Sequence, residues 1–314
     1  MAPAGSAKPL VLAKCREEWL PRKENATRIA VEGNGHYGEK VKIRFILYEV
    51  SKLPGYCMNS ADESPDDPDL DFYHPNNSEA KFSSIDATDD GFVIETANEV
   101  SNAVVTIACN DFGAYGKLRA EVEFKGLWIP LFTEDTKPYV TIPLDERGDV
   151  ENHIADKYEK DQGMAEGVNP RLDKDSGGNA TPGDGLTVFD EYRGFEIGRG
   201  KEHVRTDPKK LDLFVIPNSR RLERHLNVMS SRWAANIELH VLTDDQVKGH
   251  MWVNPNETEF TQVRQHGIWV VERNLDGGTL GQLFGDIDSP GTCLYVAIDV
   301  AARLWACVDC RGCK

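Results

Sequence analysis

The chain has 314 residues and a formal net charge of −16, with 52 acidic against 36 basic side chains. Its length exceeds one ordinary hydrophobic core, so we expect two or three domains. The charge argues against nucleic acid as a partner, because phosphates require a basic face, and it fits cation binding or an acidic, solvent-exposed surface. No apolar run approaches the ~18 residues that a membrane helix needs, so we expect no membrane span.

Residues 1–27 are expected to be an N-terminal segment rather than a signal peptide, since its apolar stretch, residues 10–13, is short. Seven cysteines occur, and the first three, Cys15, Cys57 and Cys109, are spaced like domain disulfides or buried thiols. Four Asn-x-Ser/Thr sequons would matter in a eukaryotic secretory pathway. These features favour an extracellular or cell-surface location.

Residues 28–143 are predicted to form an all-β domain. Residues 40–50 alternate, with Val41, Ile43 and Phe45 on one face and Lys42 and Arg44 on the other. Further short strands are predicted at residues 91–96, 103–109, 118–124 and 139–143. Many short strands between polar turns indicate a β-sandwich of immunoglobulin-like type.

Residues 144–200 are predicted to be an irregular acidic connector that binds calcium. In the stretch GDGLTVFDEYRGF, Asp184 fits the fifth position of a calcium loop, Gly185 the sixth and Glu191 the twelfth. Positions one and three are then Ala180 and Pro182, which offer no side-chain ligands. The first half of the cage would have to come from Asp173, Asp175 or Asn179.

A second calcium-like stretch precedes the first. Asn152, Asp156 and Glu159 fit positions five, nine and twelve, with His153 where glycine is expected. Asp145 and Asp149 are further candidate ligands in the same acidic run. The alternative for the whole connector is a flexible, solvated linker without bound ions.

Residues 201–314 are predicted to form an α/β domain, with strands at 211–216, 237–242, 268–272 and 294–300 and a helix at 222–235. The spacing of Cys307, Cys310 and Cys313, together with Cys293, would allow a zinc site. The alternative is a tail with reducible thiols. No H-E-x-x-H pair occurs, so we identify no catalytic residues.

Several stretches carry a resemblance to a known class of secreted protein. They are residues 142–145 (IPLD), 152–159 (NHIADKYE), 183–187 (GDGLT), 191–195 (EYRGF), 203–208 (HVRTDP) and 212–215 (DLFV). Together they resemble secreted multidomain proteins with thrombospondin-type or EF-hand-like calcium loops, some of which continue into a zincin-like metallopeptidase domain. Residues 265–268 (QHGI) and 277–281 (GGTLG) are similar to the upstream half of that domain.

The resemblance implies a C-terminal domain in which the zinc-binding helix would follow the strands. Because no such helix with zinc ligands is present, it implies a truncated or degenerate peptidase. We therefore expect a secreted or surface calcium-binding multidomain protein, without catalysis in this chain, in which calcium rigidifies the connector. One alternative is a fragment of a zinc metallopeptidase whose catalytic helix lies beyond the C-terminus. Another is a surface adhesin that uses the loops of its sandwich.

Overall fold

The structure is a computed structural model of the chain. It describes residues 10–22, 25–32, 40–52, 68–73, 82, 86–88, 91–173, 183–198, 202–230, 237–243, 246, 253, 258–261, 267–273, 281–284 and 294–299. The chain divides into two compact units, with the main boundary between Pro170 and Arg171. This boundary falls inside the predicted connector, so residues 144–170 belong to the first unit.

The described part of the first unit is built from antiparallel strands and one short helix, α1 (Asp156–Asp161). The strands are β1 (Val11–Leu12), β2 (Asn25–Glu32), β3 (Ile43–Tyr48), β4 (Leu70–Phe72), β5 (Asp86–Thr88), β6 (Gly91–Glu95), β7 (Ala103–Cys109), β8 (Gly116–Phe124), β9 (Leu127–Pro130) and β10 (Val140–Ile142). One sheet has the order β1-β2-β7-β4. The other has the order β10-β8-β3-β6-β5, with β9 also paired to β8.

The two sheets share one hydrophobic core. Ile29 and Ile107 from the first sheet and Phe45 and Leu118 from the second belong to the same buried cluster. Strand β7 illustrates how a sheet contributes to this core. Its residues alternate between buried and half-buried, so one face of the strand is apolar throughout. The prediction of a β-rich N-terminal half is confirmed.

The two cysteines of this unit that the structure describes are buried thiols. Cys15 is 3% exposed and Cys109 is 1% exposed, and neither forms a disulfide. Burial raises the pKa of the Cys15 thiol to about 11 and also raises the pKa of Cys109. Of the two alternatives from the sequence, buried thiols hold for this pair, while Cys57 lies outside the described residues.

The described part of the second unit includes a hairpin, the helices α2 and α3, and a mixed sheet. Its described elements are α2 (Val188–Arg193), β11 (Phe195–Ile197), β12 (Glu202–Val204), β13 (Leu211–Pro217), α3 (Arg220–Ser230), β14 (Ile237–Val241), β15 (Ile268–Arg273), β16 (Gly281–Phe284) and β17 (Leu294–Asp299). The sheet order is β14-β13-β15-β17-β16, in which β16 is antiparallel to β17 and the other pairs are parallel. Helix α3 connects the parallel strands β13 and β14 and packs on both, through Leu222 and Leu226.

The structure differs from the sequence prediction in the connector. The connector was expected to be irregular, but α1 and α2 both lie within it. Each is six residues long, too short for a clear 3.6-residue apolar period, which explains why the pattern did not reveal them. Among the described residues, no helix has the length and apolarity needed to cross a membrane.

Candidate functional site

Two loops of the connector have the same hydrogen-bonded turn. We call residues 144–159 the first loop and the described residues between 172 and 191 the second loop. Asn152 Oδ1 accepts the backbone N–H of Ile154 at 2.9 Å, and Asp184 Oδ1 accepts that of Leu186 at 2.9 Å. A side-chain oxygen that bonds the backbone two residues later forms an Asx turn. Both residues were predicted as fifth-position ligands.

The residue after each Asx turn adopts a left-handed backbone. His153 has φ 66° and Gly185 has φ 97°. This is the sixth position of the predicted loops, where calcium loops use glycine for a sharp turn. Histidine takes the same conformation in the first loop, and its ring stacks on Tyr115 with the centroids 4.0 Å apart.

Each loop then runs into a short helix that carries the predicted twelfth-position glutamate. The N–H of Glu159 donates to Ala155 O at 3.3 Å, and that of Glu191 donates to Thr187 O at 3.0 Å. Thr187 also caps α2 by accepting the N–H of Asp190. Both glutamates are 1% exposed.

An aspartate near the start of each loop clamps the turn, because its side chain accepts hydrogen bonds from the backbone N–H groups of the turn. Asp145 Oδ2 accepts the N–H groups of Asn152 and His153, each at 2.8 Å. Asp173 Oδ2 accepts the N–H of Gly185 at 3.0 Å, and Asp173 also bonds the backbone of Asp184. The sequence had offered Asp173 as a residue brought back to the second loop, and the structure places it there.

The leucine before each clamping aspartate makes the same backbone hydrogen bond in both loops. Leu144 O accepts the N–H of Asp156 at 2.9 Å, and Leu172 O accepts that of Val188 at 2.8 Å. These are the first residues of α1 and α2. The correspondence was missed in the sequence because the spacing differs: seven residues separate Asp145 from Asn152, but eleven separate Asp173 from Asp184.

Three acidic side chains of the first loop are buried, which a solvated linker would not require. Asp145 is 5% exposed, Asp156 4% and Glu159 1%. Burial raises the pKa of Asp145 to about 7, and it also raises the pKa values of Asp156 and Glu159. Asp149, a further predicted ligand, is exposed.

Inside the first loop, the Glu159 carboxylate accepts a hydrogen bond from Asn152 and lies near the guanidinium of Arg147. Asn152 Nδ2 donates to Glu159 Oε1 at 2.7 Å, and Arg147 Nη1 lies 3.7 Å from Glu159 Oε2. Neither Arg147 Nη1 nor Glu159 Oε2 has a hydrogen-bond partner among the described residues. The positive charge of Arg147 therefore sits beside the carboxylate that would complete a cation cage.

The second loop leaves one carboxylate oxygen without a donor. Both carboxylate oxygens of Asp184 accept hydrogen bonds, Oδ1 from the N–H of Leu186 and Oδ2 from the N–H of Asp212. Glu191 Oε1 lies 3.5 Å from Thr206 Oγ1. Asp173 Oδ1 is buried and has no hydrogen-bond partner among the described residues, and burial raises the pKa of Asp173. A buried carboxylate oxygen in this state favours a cation or a proton.

The fit to a metal ion is therefore partial. Within the described ranges, no three His, Cys, Asp or Glu side chains lie close enough together to hold an ion. Asp175 and Asn179, both predicted ligands of the second loop, lie outside the described residues, as do the four cysteines of the predicted zinc site. A calcium ion in the second loop would need ligands from that segment in addition to Asp173 and Glu191.

A buried hydrogen-bonded pair in the second unit was missed in the sequence. His240 Nε2 lies 2.6 Å from Asp212 Oδ1, and the two residues are 4% and 3% exposed. Burial raises the pKa of Asp212, and the bond to His240 opposes that rise. The available signal was a charged residue inside each of two apolar strands, β13 and β14.

A scan against models of protein families and a search of curated proteins gave no match to this chain. The arguments for function therefore come from the geometry of its own residues.

Proposed function

We propose that the chain is a calcium-binding multidomain protein of the extracellular or cell-surface class, in which calcium rigidifies the acidic connector. The observation that carries the proposal is the repeated loop geometry. Two stretches chosen from sequence as calcium loops share the Asx turn, the left-handed sixth residue and the buried glutamate at position twelve. Calcium loops use these features to surround a hard cation with oxygen atoms.

The second loop is the stronger candidate for calcium. It keeps glycine at position six, and Asp173 Oδ1 is buried without a donor. A divalent ion at this oxygen would offset the cost of burying the carboxylates of Asp173 and Glu191. Asp175 and Asn179 would complete the ligand set.

In the first loop, we propose that Arg147 supplies part of the charge that calcium would otherwise provide. Its guanidinium lies beside Glu159, and Asn152 already donates a hydrogen bond to the same carboxylate. Calcium binding by Asp145, Asp149, Asn152, Asp156 and Glu159 stays a prediction that the following experiment tests.

The first test is thermal unfolding of the purified chain in chelator, in excess calcium and in excess magnesium. A ligand that binds only the folded state stabilises it by about 2.7 kcal/mol at a concentration 100 times its Kd. We expect a calcium-specific rise in the melting temperature. Equal curves in all three conditions would contradict the proposal.

Calorimetry with variants then assigns the loop. Glu191→Gln removes one charge from the second loop and should weaken calcium binding at least tenfold. Glu202→Gln, an exposed carboxylate on β12, is the matched control and should bind as the unchanged chain does. If Glu191→Gln binds calcium with unchanged affinity, the second loop is not the site.

A second candidate, a zinc metallopeptidase fragment, is supported by the order of elements in the second unit. The described elements of this unit run in the order β13, α3, β14, β15, β16 and β17, and a zinc-binding helix would have to follow β17. The test is the coding sequence after Lys314. A reading frame with H-E-x-x-H, whose extended product binds zinc, would support this candidate, and an extended product that binds none would reject it.

A further inference from the structure

A cavity of about 310 Å³ lies in the first unit, where β3 ends, β8 begins and β10 ends. Its apolar wall is formed by Val50, Ile142 and Pro143, and the stacked pair Tyr115 and His153 forms another part of the lining. This volume is at the lower end of the range for small-molecule sites. The cavity does not include Asp156 or Glu159 of the first loop, but it shares Asp145 with the ligand set predicted for that loop, so calcium and a ligand of the cavity would compete for this one carboxylate.

The charges around the cavity favour a cation. Glu49, Asp145 and Glu151 line it with only one ammonium group, that of Lys117. Lys117 Nζ lies 2.8 Å from Glu49 and 3.1 Å from Glu151, so two carboxylates already share it. Asp145 adds a third carboxylate, and the formal charge of the four groups is −2 when all are ionised. Such a cavity repels anions and attracts cations.

Asp145 supplies an acceptor that the protein leaves open. Its side chain is 95% buried, and its Oδ2 accepts two backbone N–H groups. None of the described residues donates a hydrogen bond to its Oδ1. This oxygen is not among the fully buried atoms that lack a partner, so a ligand in the cavity can reach it, and a charged N–H donor gains a strong hydrogen bond there.

The shape and the apolar wall select among cations. A bare metal ion would leave most of a 310 Å³ cavity unfilled, whereas an organic cation with a short alkyl stem would also cover Val50, Ile142 and Pro143. We propose that this cavity binds an alkylammonium group, of a free amine or of a lysine side chain, with Asp145 as its counter-ion. The ammonium donates to Asp145 Oδ1, and the stem packs on the apolar wall.

The experiment is calorimetric titration of the whole chain at pH 8 in chelator, so that it does not depend on calcium binding. The probes are n-butylamine and Nα-acetyl-lysine amide, and Nα-acetyl-norleucine amide is the uncharged probe of matching length. We expect saturable binding of the first two and none of the third. Tighter binding of the lysine probe would identify a side chain as the source, and equal or tighter binding of butylamine would identify a free amine.

Two variants test the assignment of Asp145. Asp145→Asn keeps an oxygen for the backbone N–H groups but removes the charge, and it should weaken binding at least tenfold. Glu49→Gln, at the exposed rim, should weaken it about threefold and covers the case in which Asp145→Asn does not fold. Glu134→Gln, exposed and outside the cavity, is the control for loss of one charge.

The proposal is overturned if the wild-type chain shows no saturable binding, or if the norleucine probe binds as tightly as the lysine probe. It is also overturned if folded Asp145→Asn binds like Glu134→Gln. If Asp145→Asn does not fold, a Glu49→Gln variant that binds like Glu134→Gln overturns it.

Discussion

Asn152 and Asp184 lie 32 residues apart and make the same bond: the side-chain oxygen of each accepts the N–H of the residue two positions later, at 2.9 Å. One belongs to the first compact unit and the other to the second. Because the left-handed residue, the clamping aspartate and the short helix recur around both, the two loops are versions of one local structure.

Asn152 connects three parts of the first loop, so its removal should be costly. It bonds Ile154, Glu159 and Val168 O, and it is 5% exposed. Leaving buried partners unsatisfied costs about 1–3 kcal/mol for each group, so Asn152→Ala should lower the free energy of unfolding by at least about 2 kcal/mol. Urea unfolding measures this. Asn102→Ala, at an exposed position, should change it by less than about 0.5 kcal/mol; an equal effect of the two variants would remove the structural role of Asn152.

The left-handed turn of the second loop should reject residues with a Cβ. Gly185 has φ 97°, so Gly185→Ala should cost about 1–2 kcal/mol. Gly185→Asn is the matched control and should cost less, because asparagine tolerates this region better than alanine. Chemical denaturation in chelator separates this backbone effect from any effect on calcium. An alanine variant as stable as the unchanged chain would show that the turn is not strained.

Asp145 should make the stability of the first unit depend on pH. Its folded-state pKa, about 7, lies above the ordinary value of 3.8, so the folded state holds the proton more tightly than the unfolded state. Stability in chelator should therefore fall as the pH rises from about 4 to about 7. Asp145→Asn should reduce this fall but not abolish it, since burial also raises the pKa values of Asp156 and Glu159.

The measurement for Asp145 is urea unfolding at several pH values between 4 and 8. Asp149→Asn, an exposed position in the same segment, is the control and should leave the pH profile unchanged. A profile of Asp145→Asn that coincides with that of the control would show that Asp145 does not carry the effect.

The buried hydrogen bond between Asp212 and His240 should be costly to break. His240→Leu leaves the Asp212 side chain buried without this partner, which costs about 1–3 kcal/mol. Asp212→Leu combined with His240→Leu should recover part of that loss, and a double-mutant cycle by chemical denaturation measures the coupling. Glu238→Gln, on the same strand but half-exposed, serves as the control. Single and double variants of equal stability would exclude coupling between the two residues.

Cys15 and Cys109 should be inert toward thiol reagents in the folded chain. Both are buried, and burial raises their pKa values, so little reactive thiolate is present at pH 8. Iodoacetamide followed by peptide mass mapping should find both unmodified in buffer and both alkylated in denaturant. Rapid alkylation of either cysteine under native conditions would contradict the buried position.

Much of the sheet structure follows from sequence pattern. Residues 103–109 were predicted as a strand and form β7 with the same limits, because one face of that strand is apolar at every second position. Strand β2 was missed, although Ile29 and Val31 alternate with half-buried or exposed residues. Its apolar positions are few and its flanks are polar, so the period of two is visible only over a short window.

The candidate site could be predicted only in part. Spacing along the chain identified the fifth, sixth and twelfth positions of both loops, because these residues are close in sequence. Asp145 and Asp173 each accept hydrogen bonds from the turn of their own loop. The number of residues between aspartate and turn differs between the two loops, so no fixed motif describes this contact. The pairing of Asp212 with His240 depends on which strands become neighbours, and that register is a tertiary property.

The clamping aspartate and the Asx turn are seven residues apart in the first loop and eleven in the second. This difference indicates that the chain between aspartate and turn tolerates insertions. The entropy cost of closing a loop grows only slowly, by about 0.6 kcal/mol for each doubling of its length. A short peptide tag placed between Asn179 and Gly183, after the proposed ligands Asp175 and Asn179, should therefore leave the Asp173–Gly185 hydrogen bond intact. A fluorophore on that tag would lie close in sequence to the proposed calcium ligands of the second loop, so its emission would test calcium binding at this loop separately from the first.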